Sequence, residues 1–450
     1  MRHLDKIGVH NLRQAGMMKR KENIRNSIWT VFCCIGVLCF LLQSCSGGKS
    51  KPVEGTQKQP ADTVYADAGT LPVIDFQKSY PKKVIPIQEL ADVEYIPLET
   101  HDSALLSSAC QIKLTDRYIV TNSRNAVCFF CRDGRFSHAF DHRGNSGEEY
   151  FGLAGITIDE NAKELFITDM QRIQVYDFSG NYVRTLKTPY RYFFDFSIVD
   201  YDEKYLIGEE HYNVDKGQEA NANPISYYKI SKKDGKLTPL PVKVTGRKRV
   251  SDTFNFDQGE LYGSIPLFVS PIARMCGGVL IAEQALDTMY VFRNDSLCPV
   301  AVRRNNGIEQ ENPFISTLDL ITPRYQLWQT LKKELDIKNK SIAEIQTMQA
   351  PDPKQYLYDK RTGECVEVQF SNADGISAED AAEHLAYQNR LSANLYVMPD
   401  DMQNVAIQRM PAEFLVQQYE SGKLKGRLKE IASRLKEDDN PVLMIARFRE

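Results

Sequence analysis

Three short runs decide the fold: Leu165-Phe-Ile-Thr-Asp169, Arg172-Ile-Gln-Val-Tyr-Asp177 and Ser179-Gly180-Asn-Tyr182. Each is rich in β-branched and aromatic residues, and polar or glycine turns separate them. They therefore read as strand, short turn, strand, glycine turn, strand. An earlier copy is spelled by Tyr118-Ile-Val-Thr121, Val127-Cys-Phe-Phe130 and Asp133-Gly134-Arg-Phe136, and its turn glycine lies 46 residues before Gly180. Weaker copies follow. Tyr227-Tyr-Lys-Ile230 leads to Asp234-Gly235, Val279–Ala282 and Met289–Phe292 lead to Asn294-Asp295-Ser296, and Tyr356-Leu-Tyr358 leads to Thr362-Gly363. Self-similarity at such a period marks a repeat architecture. Five recognisable units, with the N-terminal strands and the end of the chain, predict an all-β six-bladed β-propeller. Radial repetition is how four-stranded blades protect their edges.

A ring must close. The apolar strand Pro441–Phe448 is placed to do so, pairing in the last blade with an early strand such as Val93–Leu98. Before it, two C-terminal helices are predicted within 411–435, split at Gly422, with Pro411 in the first turn of the first. Leu424, Leu428, Ile431 and Leu435 form a stripe that should lie on the ring. Between the later copies the spacing grows. Trp328, Leu331 and Leu335 fall at helical intervals there, predicting a helical insertion over 323–348.

The segment Asp141–Gly180 resembles the NHL repeat of β-propellers. Gly144-Asn-Ser-Gly147-Glu-Glu-Tyr150, Gly155-Ile-Thr-Ile-Asp159 and the runs quoted above carry the resemblance. More broadly, residues 73–450 resemble the six-bladed β-propeller lipoproteins of gut anaerobic bacteria. Val93-Glu-Tyr-Ile-Pro-Leu-Glu99 and Asp439-Asn-Pro-Val-Leu-Met-Ile445 echo their opening and their ending. Glu148 departs from the usual glycine-loop pattern, where a small residue or proline is common. The resemblance implies fold and location but no reaction.

The other end of the chain speaks to location. Ile28–Cys45 is an apolar run behind Lys19-Arg20-Lys21 and Arg25, closing in Leu42-Gln-Ser-Cys45. A positive segment, an apolar core and a small residue before cysteine are the parts of a lipoprotein signal, with Cys45 as the lipid acceptor. A retained membrane anchor is the competing reading, since the run is long enough to span a bilayer. Ser46-Gly-Gly-Lys-Ser50 follows with no basic stop-transfer cluster, which favours the signal. Met18-Lys-Arg-Lys21 is the expected opening of such a peptide, so Met18 is read as the true start. The domain plan is then a signal peptide over 1–45, a flexible tether over 46–72 and the propeller over 73–450. The location implied is the outer membrane or a periplasm-facing cell envelope, with the membrane itself a partner through the anchor.

Composition narrows the function. The chain carries 56 Lys and Arg against 59 Asp and Glu. Removing residues 1–45 takes away seven basic and two acidic residues, leaving 49 against 57, a net charge of −8. No footprint for nucleic acid exists in such a chain. The spacing Cys128-Phe-Phe-Cys131 lies in a strand, where residues an odd number apart face opposite sides, so this pair should not bond to itself. Gly47-Gly-Lys-Ser50 lacks the strand–loop–helix setting of a phosphate cradle. His101, His138, His142, His211 and His384 show no zinc spacing, and no nucleophile elbow is present. No catalytic residue, metal ligand or cofactor is named. Candidate ligand contacts are Glu148, Glu149 and Tyr150 of the glycine loop, with Asp169 and Arg172, although an inter-strand or inter-blade ion pair that orders the turn is the favoured account of that pair. The aromatic cluster Tyr190, Tyr192, Phe193, Phe194 and Phe196 suits blade packing or a sugar platform. The expected function is a ligand- or protein-binding module for a glycan, a peptide or an envelope protein. The alternative is a metal-dependent propeller hydrolase or lyase, which the NHL resemblance implies.

Overall fold

The computed structural model describes residues 71–450 except 107–109, 124, 154, 170–171, 188–195, 211–226, 243, 245–254, 258–259, 263, 267–271, 276, 305–313, 333, 337–353 and 382–403. The signal, Cys45 and the tether up to residue 70 lie outside the described residues, as do His211, His384 and Tyr190–Phe194. Three strands come first: β1 (Val73–Asp75), β2 (Lys82–Pro86) and, after the single-turn helix α1 (Ile87–Leu90), β3 (Ala91–Pro97). Blade 1 follows as β4 (Ile112–Leu114), β5 (Tyr118–Ser123), β6 (Ala126–Cys131) and β7 (Phe136–Phe140). Blade 2 is β8 (Gly155–Asp159), β9 (Glu164–Thr168), β10 (Ile173–Asp177) and β11 (Tyr182–Leu186). Blade 3 is β12 (Phe196–Asp200), β13 (Tyr205–Glu210), β14 (Tyr227–Ser231) and β15 (Leu237–Pro239). Next come the short strands β16 (Asn255–Asp257), β17 (Glu260–Tyr262) and β18 (Ser264–Pro266). Blade 4 is β19 (Ile272–Met275), β20 (Gly278–Ile281), β21 (Thr288–Arg293) and β22 (Ser296–Arg304). Blade 5 is β23 (Phe314–Ile321), β24 (Tyr325–Lys332), β26 (Lys354–Asp359) and β27 (Glu364–Ser371), with β25 (Glu334–Asp336) paired to β18. Blade 6 joins β28 (Val405–Met410) and β29 (Val442–Phe448) to β3, with helices α2 (Ala412–Glu420) and α3 (Gly426–Ala432) between its strands.

The first strand of each blade is nearest the axis, and β12 touches both β8 and β19 there. Blades are sandwiched on both faces, so their strands are apolar at both parities rather than alternating. In β9, Leu165 and Ile167 pack towards blade 1, while Phe166 packs towards blade 3. Each of the six joints between neighbouring blades holds one of six apolar clusters.

The ring closes as expected. β29 runs antiparallel to β3 with Met444 opposite Tyr95 and Ile445 opposite Glu94, and β28 pairs on its other side. The N-terminal strands do more than close it. β1 adds in parallel to β22 at the outer edge of blade 4, and β2 adds in parallel to β27 at the edge of blade 5. Residues 73–97 thus form a strap over three consecutive blades.

Turn chemistry matches the repeat. The third-to-fourth-strand turns contain Gly134, Gly180, Gly235 and Gly363, all at positive φ, and blade 4 uses Asn294-Asp295 at φ 48° and 57°. The C-terminal helices are present, with Leu424, Leu428 and Ile431 buried in the joint between blades 5 and 6. Gly422, at φ 73°, ends the first of them. Pro411 sits one residue before the helix, as its N-cap.

One expectation fails. Tyr325–Lys332 is not a helix but the second strand of blade 5, with Trp328 opposite both Leu318 and Tyr356. Leu327 faces the joint to blade 6 and Trp328 the joint to blade 4. Burial on both faces erases the alternation that identifies a strand, and chance helical spacing filled the gap. The rest of that predicted insertion, 337–348, lies outside the described residues.

Candidate functional site

In each blade the second-to-third-strand turn and the connection to the next blade emerge at the same end of the ring. The glycine loop, 141–151, lies there between β7 and β8. What holds it is a column of side chains on β10 and its preceding residue. Arg172, Gln174 and Tyr176 alternate in sequence and share one face, while Ile173 and Val175 pack into the joint with blade 3. The Arg172 guanidinium donates to the carbonyls of Ser146 at 3.1 Å and Glu149 at 2.6 Å. Gln174 Nε2 donates to Gly147 O at 3.0 Å and Glu149 O at 2.7 Å. The Tyr176 hydroxyl donates to Glu148 O at 2.6 Å. Four consecutive loop carbonyls are bound by three side chains.

The five candidate ligand contacts are brought together around this knot, in different roles. Tyr150 is fully buried and its hydroxyl donates to Asn125 O at 2.5 Å. Burial pushes its phenol up to about 12. Asp169 receives the Phe151 amide at 3.0 Å and lies 3.4 Å from Arg172 Nε. Glu149 folds back to accept the Ser146 amide at 2.8 Å, which holds its carboxyl below the usual range. Of the five, Glu148 alone is exposed. Beside it Phe151 is 57% exposed, and Leu105, on the connection from blade 6 to blade 1, is 55% exposed. Ser123 Oγ donates to Leu105 O at 2.5 Å, and Tyr150 bonds Asn125. The two apolar side chains therefore flank one turn, that between β5 and β6.

The described histidines serve the blade joints. His138 stacks on Phe129 with ring centroids 4.4 Å apart, and its Nε2 lies 2.8 Å from Phe178 O. His142 stacks on Tyr176 and places Nε2 2.7 Å from Gly180 O. His101 stacks on Phe136. Cys128 and Cys131 are both free thiols, and burial pushes Cys128 up to about 11. Among the described residues no group of three or more His, Cys, Asp or Glu side chains could hold a metal ion.

A second polar constellation, missed in the sequence reading, lies at the opposite end. Lys232, 6% exposed in its side chain, sits 2.5 Å from Asp159 and 2.6 Å from Asp200. Arg274 reaches Asp200 at 2.9 Å. Burial raises Asp200 to about 6 despite the pull of Lys232 and Arg274. The innermost strands of blades 2 and 3 thus each end in an aspartate that meets a cation of the next blade. The signal was present as Ile158-Asp159 and Val199-Asp200 at the ends of successive first strands, yet the lysine comes from a turn far along the chain. Between blades 4 and 5, the fully buried Arg303 donates to Leu286 O at 2.9 Å and Ser316 O at 2.9 Å.

No helix among the described residues is long and apolar enough to cross a membrane. No curated protein matches the chain. Among solved structures, a Bacteroides fragilis protein described as exported is similar at 12% identity and TM-score 0.56, covering 85% of this chain and 100% of that one. A member of the duf4221 family from Bacteroides vulgatus aligns at 8% identity and TM-score 0.44, over 80% of this chain and 99% of that one. The first of these supports the propeller fold. A family model matches residues 71–447, from the strap to the closing strand, and the chain accordingly belongs to the family described as a domain of unknown function (DUF4934).

Proposed function

We propose that this chain is a cell-envelope lipoprotein, anchored through Cys45, whose propeller acts as a binding module for a glycan, a peptide or an envelope protein. The observation that carries the reading is the knot under the glycine loop. Arg172, Gln174 and Tyr176 spend their donors on loop carbonyls, fixing the backbone that presents Glu148 and Phe151. A loop held in one shape loses little entropy on binding, which is how a rigid scaffold supports recognition. Glu148 and Phe151 are the recognising side chains in this reading, with Leu105 at the rim. Tyr150, Asp169, Arg172 and Glu149 position the loop. The Bacteroides fragilis neighbour described as exported is compatible with an envelope location.

The reading is tested by screening glycans and envelope peptides against the purified protein, then repeating the measurement with Phe151→Ala and Glu148→Ala. Both side chains are exposed, so thermal stability should hold while affinity falls. A ligand bound equally well by wild type and both variants would place recognition elsewhere. Metabolic labelling with a fatty-acid analogue tests the anchor, and equal labelling of wild type and Cys45→Ala would remove it. The hydrolase-or-lyase alternative draws no support from the described residues.

A further inference from the structure

Seven large apolar side chains are exposed among the described residues, and three of them, Leu71, Val73 and Val84, lie in the first fourteen. Val84 is 61% exposed, the largest value of the seven. All three belong to the strap or lead into it. Their inward neighbours are anchored, since Ile74 is fully buried in the joint between blades 4 and 5 and Ile85 packs towards blade 6. The strap is thus a fixed edge that carries exposed apolar side chains, not a loose end. Lysines are interleaved with these side chains, at Lys78, Lys82 and Lys83. Lys83 meets Glu364 at 2.8 Å in an exposed pair, and the exposed Lys82 meets the part-buried Glu367 at 3.5 Å. Exposed pairs of this kind contribute little, so the ammonium groups can exchange these partners for other anions at small cost.

We propose that the outer edge of the strap, where Leu71, Val73 and Val84 are exposed, lies against the membrane surface, with Lys78, Lys82 and Lys83 directed to lipid phosphates. This inference rests on the lipid-anchor reading above. About 25 residues separate Cys45 from Leu71, which gives a flexible chain an average span of about 25–30 Å. The strap is therefore the first part of the propeller to come within reach of the bilayer. Apolar groups placed among lysines suit the boundary between headgroups and acyl chains, because the long lysine stems carry their charge back to the polar layer. A lipid surface fits this face better than a second copy would, because a lysine-bearing edge strand with Pro81 and Pro86 at its ends resists strand addition.

The test uses the full lipidated protein in vesicles of phosphatidylethanolamine and phosphatidylglycerol. Brief acetylation followed by peptide mass spectrometry reads the labelling of each lysine. Lys78, Lys82 and Lys83 should label several-fold more slowly than the exposed Lys425 and Lys429 of α3 and its N-cap. A Val73→Asp/Val84→Asp variant with unchanged melting temperature should remove that protection. Equal labelling of strap and helix lysines in the wild type overturns the proposal, as does protection that survives in the variant. Protection that grows with protein density in the bilayer would point instead to a second copy and overturn it too. The same spectra report the mass of the Cys45 peptide. An unmodified Cys45 defeats the anchor reading itself, while a lipidated Cys45 with unprotected lysines defeats the strap proposal alone.

Discussion

Lys232 shows how much one side chain can carry. Its ammonium is buried between two carboxylates from different blades, with Arg274 beyond them. Replacing it by methionine keeps the volume but leaves Asp159 and Asp200 facing each other across a dry joint. Breaking a buried pair in this way costs about 3–5 kcal/mol. Lys232→Met should therefore lower the unfolding free energy from urea titration by that amount at neutral pH, and a change within error would show that the joint admits water. Asp319 gives a pH-dependent prediction. It sits at a bulge in β23, fully enclosed, and accepts a hydrogen bond from Thr317 at 2.6 Å. Burial raises its carboxyl to about 7, well above the unfolded value. The folded state then holds a proton that the unfolded state releases, so this group's contribution to stability falls as pH rises from about 4 to about 7. Asp319→Asn should raise the melting temperature relative to wild type at pH values above 7, with the gap closing towards pH 5. A constant gap across that range would remove the carboxyl as its cause.

Among the elements, the strands quoted first were legible because both their faces are apolar and their turns are spelled by glycine. Gly134 illustrates the second point. Its φ is +90°, and a Cβ there would stand 2.0 Å from Pro97 O, at the end of the strand that closes the ring. Gly134→Ala should destabilise by about 1–3 kcal/mol from the backbone alone, with more from the clash. Gly147→Ala, where a Cβ would meet nothing within 4 Å, serves as the control and should leave the melting temperature unchanged. The same double-sided burial that exposes a strand as an apolar run hid β24. In Tyr325–Lys332, glutamines and threonine share the strand with Trp328 and Leu327, so neither the run nor the alternation is clean. The knot under the glycine loop was half visible. Arg172 and Asp169 were singled out, yet Gln174 and Tyr176 belong to the same face by the two-residue period of a strand. Their partners are backbone carbonyls, which carry no sequence signature.

For the molecule as a whole, closure is the decisive event. β29 is the central strand of blade 6, and its partners come from residues 91–97 and 405–410. Deleting residues 442–450 would strip β3 and β28 of their shared partner and open the joint to blade 1, where Leu443 and Ile445 are buried. The truncated chain should elute as an aggregate or be cut rapidly by protease under conditions where the full chain resists. A monomeric, resistant truncation would mean that the strap suffices to hold the ring.

The sequence by itself determined the six-bladed ring, its turn glycines, the C-terminal helices and the pairing of the last strand with an early one. These follow from local periodicity and from the need of every blade edge to find a partner. Only the tertiary structure decided that β1 and β2 bind parallel to the edges of blades 4 and 5. It also placed Lys232 between two aspartates and turned Arg172, Gln174 and Tyr176 to the backbone of a loop. Those outcomes depend on which surfaces meet once the ring has closed. Contacts between residues dozens to hundreds of positions apart leave no local period to read.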